Sequence, residues 1–157
     1  MEYMSGKDLE DTLIFQDYIT DLLHNFGWSI NCYSSRKYNI EKGESLSRIE
    51  IKQDKKLKET GNLYFEVYER QKSNNGNYVE SGILRKDNTM LIIIGDYEHL
   101  YLFSKKQIQA IIRSGEFRKV QTDTSIGYLI PVSYFEKHKS LILAEWENGK
   151  MKGENNE

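Results

Sequence analysis

Residues 46–54 read Leu-Ser-Arg-Ile-Glu-Ile-Lys-Gln-Asp, and the strict alternation in that run constrains the fold more than any other feature of the chain. A period of two belongs to an extended strand. It sends Ile49 and Ile51 to one side and Glu50, Lys52 and Asp54 to the other. A strand buried on both faces does not tolerate three ionisable side chains without partners. The polar face therefore either lines a cleft or is an exposed edge whose charges discourage aggregation. A polar connection over residues 55–61 leads to a second alternating run, residues 62–70, with Leu63, Phe65 and Val67 opposite Tyr64, Glu66, Tyr68 and Arg70. The short connection predicts an antiparallel hairpin that sets Glu66 beside Lys52 or Asp54.

The rest of the chain supplies helices and further strands. Residues 8–26 place Leu9, Leu13, Ile19, Leu23 and Phe26 on one helical stripe, with Gly27 as its stop and Gln16 pointing inward within it. A strand is expected over 28–33, a mobile loop over 71–78 and a short helix over 81–89. The continuous apolar run 90–94 reads as a buried central strand, followed by a strand over 99–103. Ser104 is an N-cap for a helix through Arg113 that Gly115 closes. A last strand is expected over 128–132. Ser133 with Glu136 forms a capping box for a C-terminal helix. This order describes an α/β fold, a mixed sheet flanked by helices.

With 157 residues the chain is long enough for one domain and too short for two ordinary ones. One domain is expected over 1–147, with a polar Gly/Asn-rich tail over 148–157 expected to be disordered. Cys32 stands alone, so no internal disulfide forms, which fits a reducing cytoplasm; it reads as an ordinary half-buried thiol. No apolar run approaches the ~20 residues of a membrane span, and the N-terminus lacks a signal-peptide pattern. The formal net charge of −2 gives no global basic field, yet cations bunch at Lys55, Lys56 and Lys58, at Arg70 and Lys72, and at Arg85 and Lys86. The eleven tyrosines suit base stacking or, equally, strands and protein interfaces. His24, His99 and His138 show no metal-ligand spacing, and no CxxC, P-loop or G-x-S-x-G occurs.

Carboxylates facing a cleft hold a divalent cation, and a lysine beside them positions water and stabilises charge on a reacting phosphate. All-oxygen ligands favour Mg²⁺, with Mn²⁺ as its substitute. The apolar-flanked Glu-x-Lys at Ile49-Glu50-Ile51-Lys52 resembles the second half of the PD-(D/E)XK nuclease motif. Continuing through Gln53-Asp54, Thr60-Gly61-Asn62-Leu63-Tyr64-Phe65-Glu66, Ser81-Gly82-Ile83, Lys86-Asp87 and Tyr128-Leu129-Ile130-Pro131, the chain is similar to phage and viral members of that superfamily over roughly residues 9–132.

The resemblance implies a restriction-endonuclease-like mixed central sheet and a Mg²⁺-dependent endodeoxyribonuclease in a bacterial or virus-infected cytoplasm. Homodimers occur among its junction-cutting members. It implies Glu50, Lys52, Asn39 and Lys86 as catalytic candidates and Glu50, Asp54 and Glu66 as metal ligands. Lys55, Lys56, Lys58, Arg70, Lys72 and Gln16 become the candidate contacts to DNA. Two positions depart from the family pattern: Asn39 stands where an acid precedes the Glu-x-Lys, and Gln16 where the first helix usually carries a glutamate. Amides keep the shape and lose the charge, so Glu41 or Glu44 would have to replace Asn39, or Asp54 with Glu66 would form the metal pair. Otherwise the domain is a degenerate nuclease that binds nucleic acid or a protein without cutting.

Overall fold

The computed structural model describes residues 6–32, 42–43, 45–70 and 76–153. Within them the chain forms helix α1 (Gly6–Asn25), strand β1 (Ile49–Gln53), helix α2 (Leu57–Thr60), strands β2 (Asn62–Arg70) and β3 (Tyr78–Glu80), and strands β4 (Leu91–Gly95) and β5 (His99–Ser104). There follow helix α3 (Lys105–Arg113), strands β6 (Arg118–Gln121) and β7 (Ser125–Pro131), helix α4 (Val132–Lys137), and strands β8 (Ala144–Glu147) and β9 (Lys150–Met151). The class is mixed α/β, as the alternating and helical patterns require. The strands form two sheets rather than one central sheet: five strands in the order β1-β4-β5-β8-β9, and four in the order β3-β2-β7-β6.

The five-stranded sheet is buried on both faces, and period-two side chains divide its residues cleanly. Ile49, Ile51, Ile93, Leu100, Leu102 and Trp146 pack against Phe15, Ile19, Leu22 and Leu23 of α1. Ile92, Ile94, Tyr101 and Phe103 face the other way, onto Leu63, Phe65, Val67 and Ile130 of the four-stranded sheet and onto Ile108 and Phe135 of the helices. The interior strand β4 is therefore apolar at successive residues because both of its faces are core. Its neighbours β1 and β5 pair with it in opposite senses, parallel and antiparallel.

Several expectations are corrected by this architecture. The two alternating strands do not form a hairpin: β1 pairs in parallel with β4, while β2 pairs antiparallel with β3 and β7. The connection between them is taken up by α2, which draws the chain out of one sheet and into the other. The stripe on α1 is rotated from the expected one, leaving Leu9 and Leu13 about half exposed while Phe15 and Leu22 are buried. Of the strand expected over 28–33, residues 28–31 are irregular and Cys32 makes an isolated bridge to Ser45; residue 33 lies outside the described part.

The helix expected over 81–89 shrinks to one 3₁₀ turn, Gly82–Leu84. The loop expected to end at Tyr78 instead gives way there to β3, its residues 71–75 lying outside the described part. Helix α4 starts at Val132 after Pro131 with no side-chain cap, so the Ser133–Glu136 box does not form. The strand read over 128–132 begins at Ser125 and is not the last. The polar tail begins with β9, whose Lys150 and Met151 pair with Glu147 and Trp146 of β8. Only 154–157 of that tail fall outside the described residues.

Candidate functional site around Glu50, Lys52 and Glu66

The register of β1 on β4 sets Glu50 beside Ile92 and Lys52 beside Ile94. Adjacent residues of paired strands point the same way, so both charged side chains turn toward the four-stranded sheet. This is the common face that alternation predicts, and their heads meet: Lys52 Nζ lies 3.0 Å from Glu50 Oε1. Glu50's side chain is only 10% exposed and Lys52's 47%, so the carboxylate lies under the ammonium and the ammonium reaches solvent. β1 ends one sheet among the described residues, which lets a charged head escape there.

Glu66 comes to the same place from β2. Its carboxyl accepts a 2.7 Å hydrogen bond from Ser81 Oγ, and Ser81 is fully buried. Burial pushes the Glu66 carboxyl above the ordinary glutamate range, against the pull of the Ser81 hydrogen bond and of the nearby Lys52 charge; the charges of Glu69 and Glu50 push it further up. The proximity expected for Glu66 and Lys52 is thus present, although it arises between two sheets and not across a hairpin. Gly82 holds the 80–84 segment against β2. At φ +46° it has a backbone conformation that suits glycine, and a Cβ there would run into the backbone carbonyl of Glu66.

Asp54 does not join this set. It lies one residue past the end of β1, and its two carboxylate oxygens accept the backbone N–H groups of Lys56 at 3.1 Å and Tyr64 at 2.9 Å. Desolvation raises its pKa, and those same amides oppose the rise. Its place is structural: it fixes the turn into α2 and ties the end of β1 to β2. The alternation that grouped Asp54 with Glu50 and Lys52 fails because the strand stops at Gln53.

The cations expected to meet nucleic acid are largely matched by acids. Lys55 pairs with Asp11 at 2.8 Å, Lys56 with Glu59 at 3.5 Å and Lys58 with Glu98 at 2.7 Å. Arg70 lies over the Tyr78 ring. Gln16 donates to the sulfur of Cys32 at 3.0 Å, and Cys32 is exposed and not half-buried. Lys86 is exposed and lines a basic groove, of whose cations the charge bunching along the sequence picked out only Arg85 and Lys86. Asn39, Glu41, Glu44 and Lys72 lie outside the described residues.

A pH dependence follows from Glu66. Its folded pKa is raised, so between the ordinary glutamate range and that higher value the folded chain holds a proton that the unfolded chain has lost. Stability therefore falls as pH rises through this window, and the penalty is absent below it. Urea melts from about pH 4 upward should show a shallower decline for Glu66→Gln than for the parent. Parallel curves would contradict the buried carboxyl.

No helix among the described residues is long and apolar enough to cross a membrane, and among them no group of three or more His, Cys, Asp and Glu is placed to hold a metal ion. A scan of protein-family models and searches of curated proteins and of solved structures found no match to this chain.

Proposed function

We propose that the chain is a restriction-endonuclease-like, divalent-metal-dependent nuclease that hydrolyses DNA phosphodiester bonds where Glu50, Lys52 and Glu66 meet. The observation that carries this reading is the approach of a Glu-x-Lys pair on one sheet to a buried glutamate on another. The two carboxylates fit a hard cation: Mg²⁺ keeps several waters and uses one or two protein carboxylates together with substrate phosphates, so a pair suffices where three ligands do not assemble. Glu66 has a further reason to accept a cation, because its charge is disfavoured by burial and no ion pair reaches it among the described residues. The bound ion would contribute Lewis acidity at the scissile phosphate.

The chain's own groups do the positioning. Glu50 aims the Lys52 ammonium through their ion pair. Lys52 orients the attacking water and offsets negative charge that builds on the phosphate. Ser81 fixes the rotamer of Glu66. Purified protein should nick supercoiled plasmid in Mg²⁺ and not in EDTA, and Glu50→Gln should lose at least about a hundredfold in rate. Equal cutting by parent and variant would defeat the assignment.

A second reading, a nuclease fold that binds without cutting, is favoured by the engagement of Asp54 with backbone amides. It predicts salt-dependent DNA binding with no cleavage in Mg²⁺ or Mn²⁺.

A further inference from the structure

Beside the candidate site the surface carries a groove of about 790 Å³ whose walls include six cationic side chains, Lys42, Arg85, Lys86, Lys105, Lys106 and Arg113, against two acids, Glu80 and Asp87. In a chain of net charge −2 this is a concentrated positive field. Its floor is rigid. Lys105 is 4% exposed, and its ammonium bonds the Arg85 carbonyl at 2.7 Å and Asp87 Oδ1 at 3.0 Å. Asp87 Oδ1 also accepts the Thr89 N–H. Loop 85–89 is thereby clamped to the start of α3. Arg85 is matched by Glu69, whereas Lys86, Lys106 and Arg113 are exposed and make no ion pair among the described residues.

The cations on α3 form a line. At 100° per residue, Lys106, Gln109 and Arg113 fall within an arc of about 60°, opposite the buried Ile108, Ile111 and Ile112. Lys106 and Arg113 are separated by about 10.5 Å along the helix axis, roughly three phosphate-to-phosphate steps along one strand of a duplex. A small free anion has no use for charges so far apart; a regularly charged polyanion does. The groove also begins next to the candidate site: Glu80 lines it, and the following residue, Ser81, bonds Glu66.

We infer that this groove is the track for a nucleic-acid backbone, with Lys106 and Arg113 as phosphate contacts and the exposed Lys86 lining the same walls. It replaces Lys55, Lys56 and Lys58 as the main contact surface. It rests on the proposed nuclease only in leading the strand toward Glu50 and Glu66.

The test is fluorescence anisotropy of labelled duplex and single-stranded oligonucleotides across a KCl series in EDTA, where binding needs no cutting. Lys106→Ala with Arg113→Ala changes only exposed residues, so the fold, checked by circular dichroism, should hold. The double variant should weaken binding on the order of tenfold at low salt and reduce the salt slope by about two. The Lys55→Ala, Lys56→Ala and Lys58→Ala triple should change both much less.

Unchanged affinity and slope in the double variant would overturn the proposal, even if the parent cuts plasmid. Binding to phosphatidylserine vesicles without binding to oligonucleotides would overturn it too. Binding that the double variant loses, in a parent that never cuts, would uphold the track and remove the nuclease.

Discussion

Lys105→Met is expected to destabilise the fold by about 3–5 kcal/mol, among the largest losses any single substitution here should produce. The Lys105–Asp87 pair is buried, with side-chain exposures of 5% and 4%. Removing the ammonium strands a carboxylate where water cannot solvate it. The loss extends beyond one ion pair, because the same ammonium holds the Arg85 carbonyl. Against a typical total of about 5–15 kcal/mol, the variant should melt roughly 10 °C or more below the parent.

Asp87→Asn keeps an acceptor for the Thr89 N–H while removing the charge. Combined with Lys105→Met it should cost less than the sum of the two single changes, since no unpaired charge remains. Additive losses would show that the two side chains do not share their burial. Loop 85–89 should also loosen in Lys105→Met, so that oligonucleotide binding weakens even at temperatures where the variant stays folded.

Lys52→Ala carries the second large effect, and it separates chemistry from folding. If Lys52 orients water at the phosphate, the nicking rate should fall by about 10²–10⁴. Lys52→Arg should recover only part of it, because a planar guanidinium replaces a compact ammonium without copying its geometry. The same change leaves Glu50 buried without its partner at 3.0 Å, a loss on the order of 1 kcal/mol of stability. Glu50→Gln removes that charge and should be milder for folding while equally severe for cutting.

Mg²⁺ supplies a readout that does not depend on turnover. An ion held by Glu50 and Glu66 stabilises the fold by mass action. The parent and Lys52→Ala should therefore both melt higher in Mg²⁺, and a Glu50→Gln, Glu66→Gln double variant should not. If Mg²⁺ raises all three equally, the ion sits elsewhere.

Local patterns were good guides wherever one side chain's surroundings were set by its own segment. Of the run at 90–94, residues 91–94 form a doubly buried strand because they have no polar face to offer, and β4 is an interior strand of the five-stranded sheet, while Met90 precedes it half exposed. The alternation at Ile49, Glu50, Ile51 and Lys52 put the ion pair on one face, and the helix from Lys105 to Arg113 lies between the Ser104 and Gly115 signals, although the Ser104 side chain makes no cap hydrogen bond. Patterns failed at boundaries. Asp54 matched the alternation and was lost from it once its carboxylate took two backbone amides. Leu9 and Leu13 matched a helical stripe, but the buried stripe of α1 is rotated from it and begins at Phe15, so the N-terminal turns stay outside the core.

The basic groove was legible only at Arg85 and Lys86, because its cations come from segments far apart in the chain: Lys42, residues 85–86 and α3. Charge bunching along the sequence gave equal weight to residues 55–58. There each lysine has an acid within reach, two of them from distant parts of the chain, Asp11 and Glu98.

From its order of residues alone, this chain specified an α/β fold, the buried strand β4 and the shared face of Glu50 and Lys52, since those follow from backbone periodicity and the cost of hiding charge. Strand partners, the approach of Glu66 and the sorting of paired from unpaired cations were decided only in three dimensions. Coulombic and hydrogen-bond energies depend on distance through space, and distance along the chain does not report it.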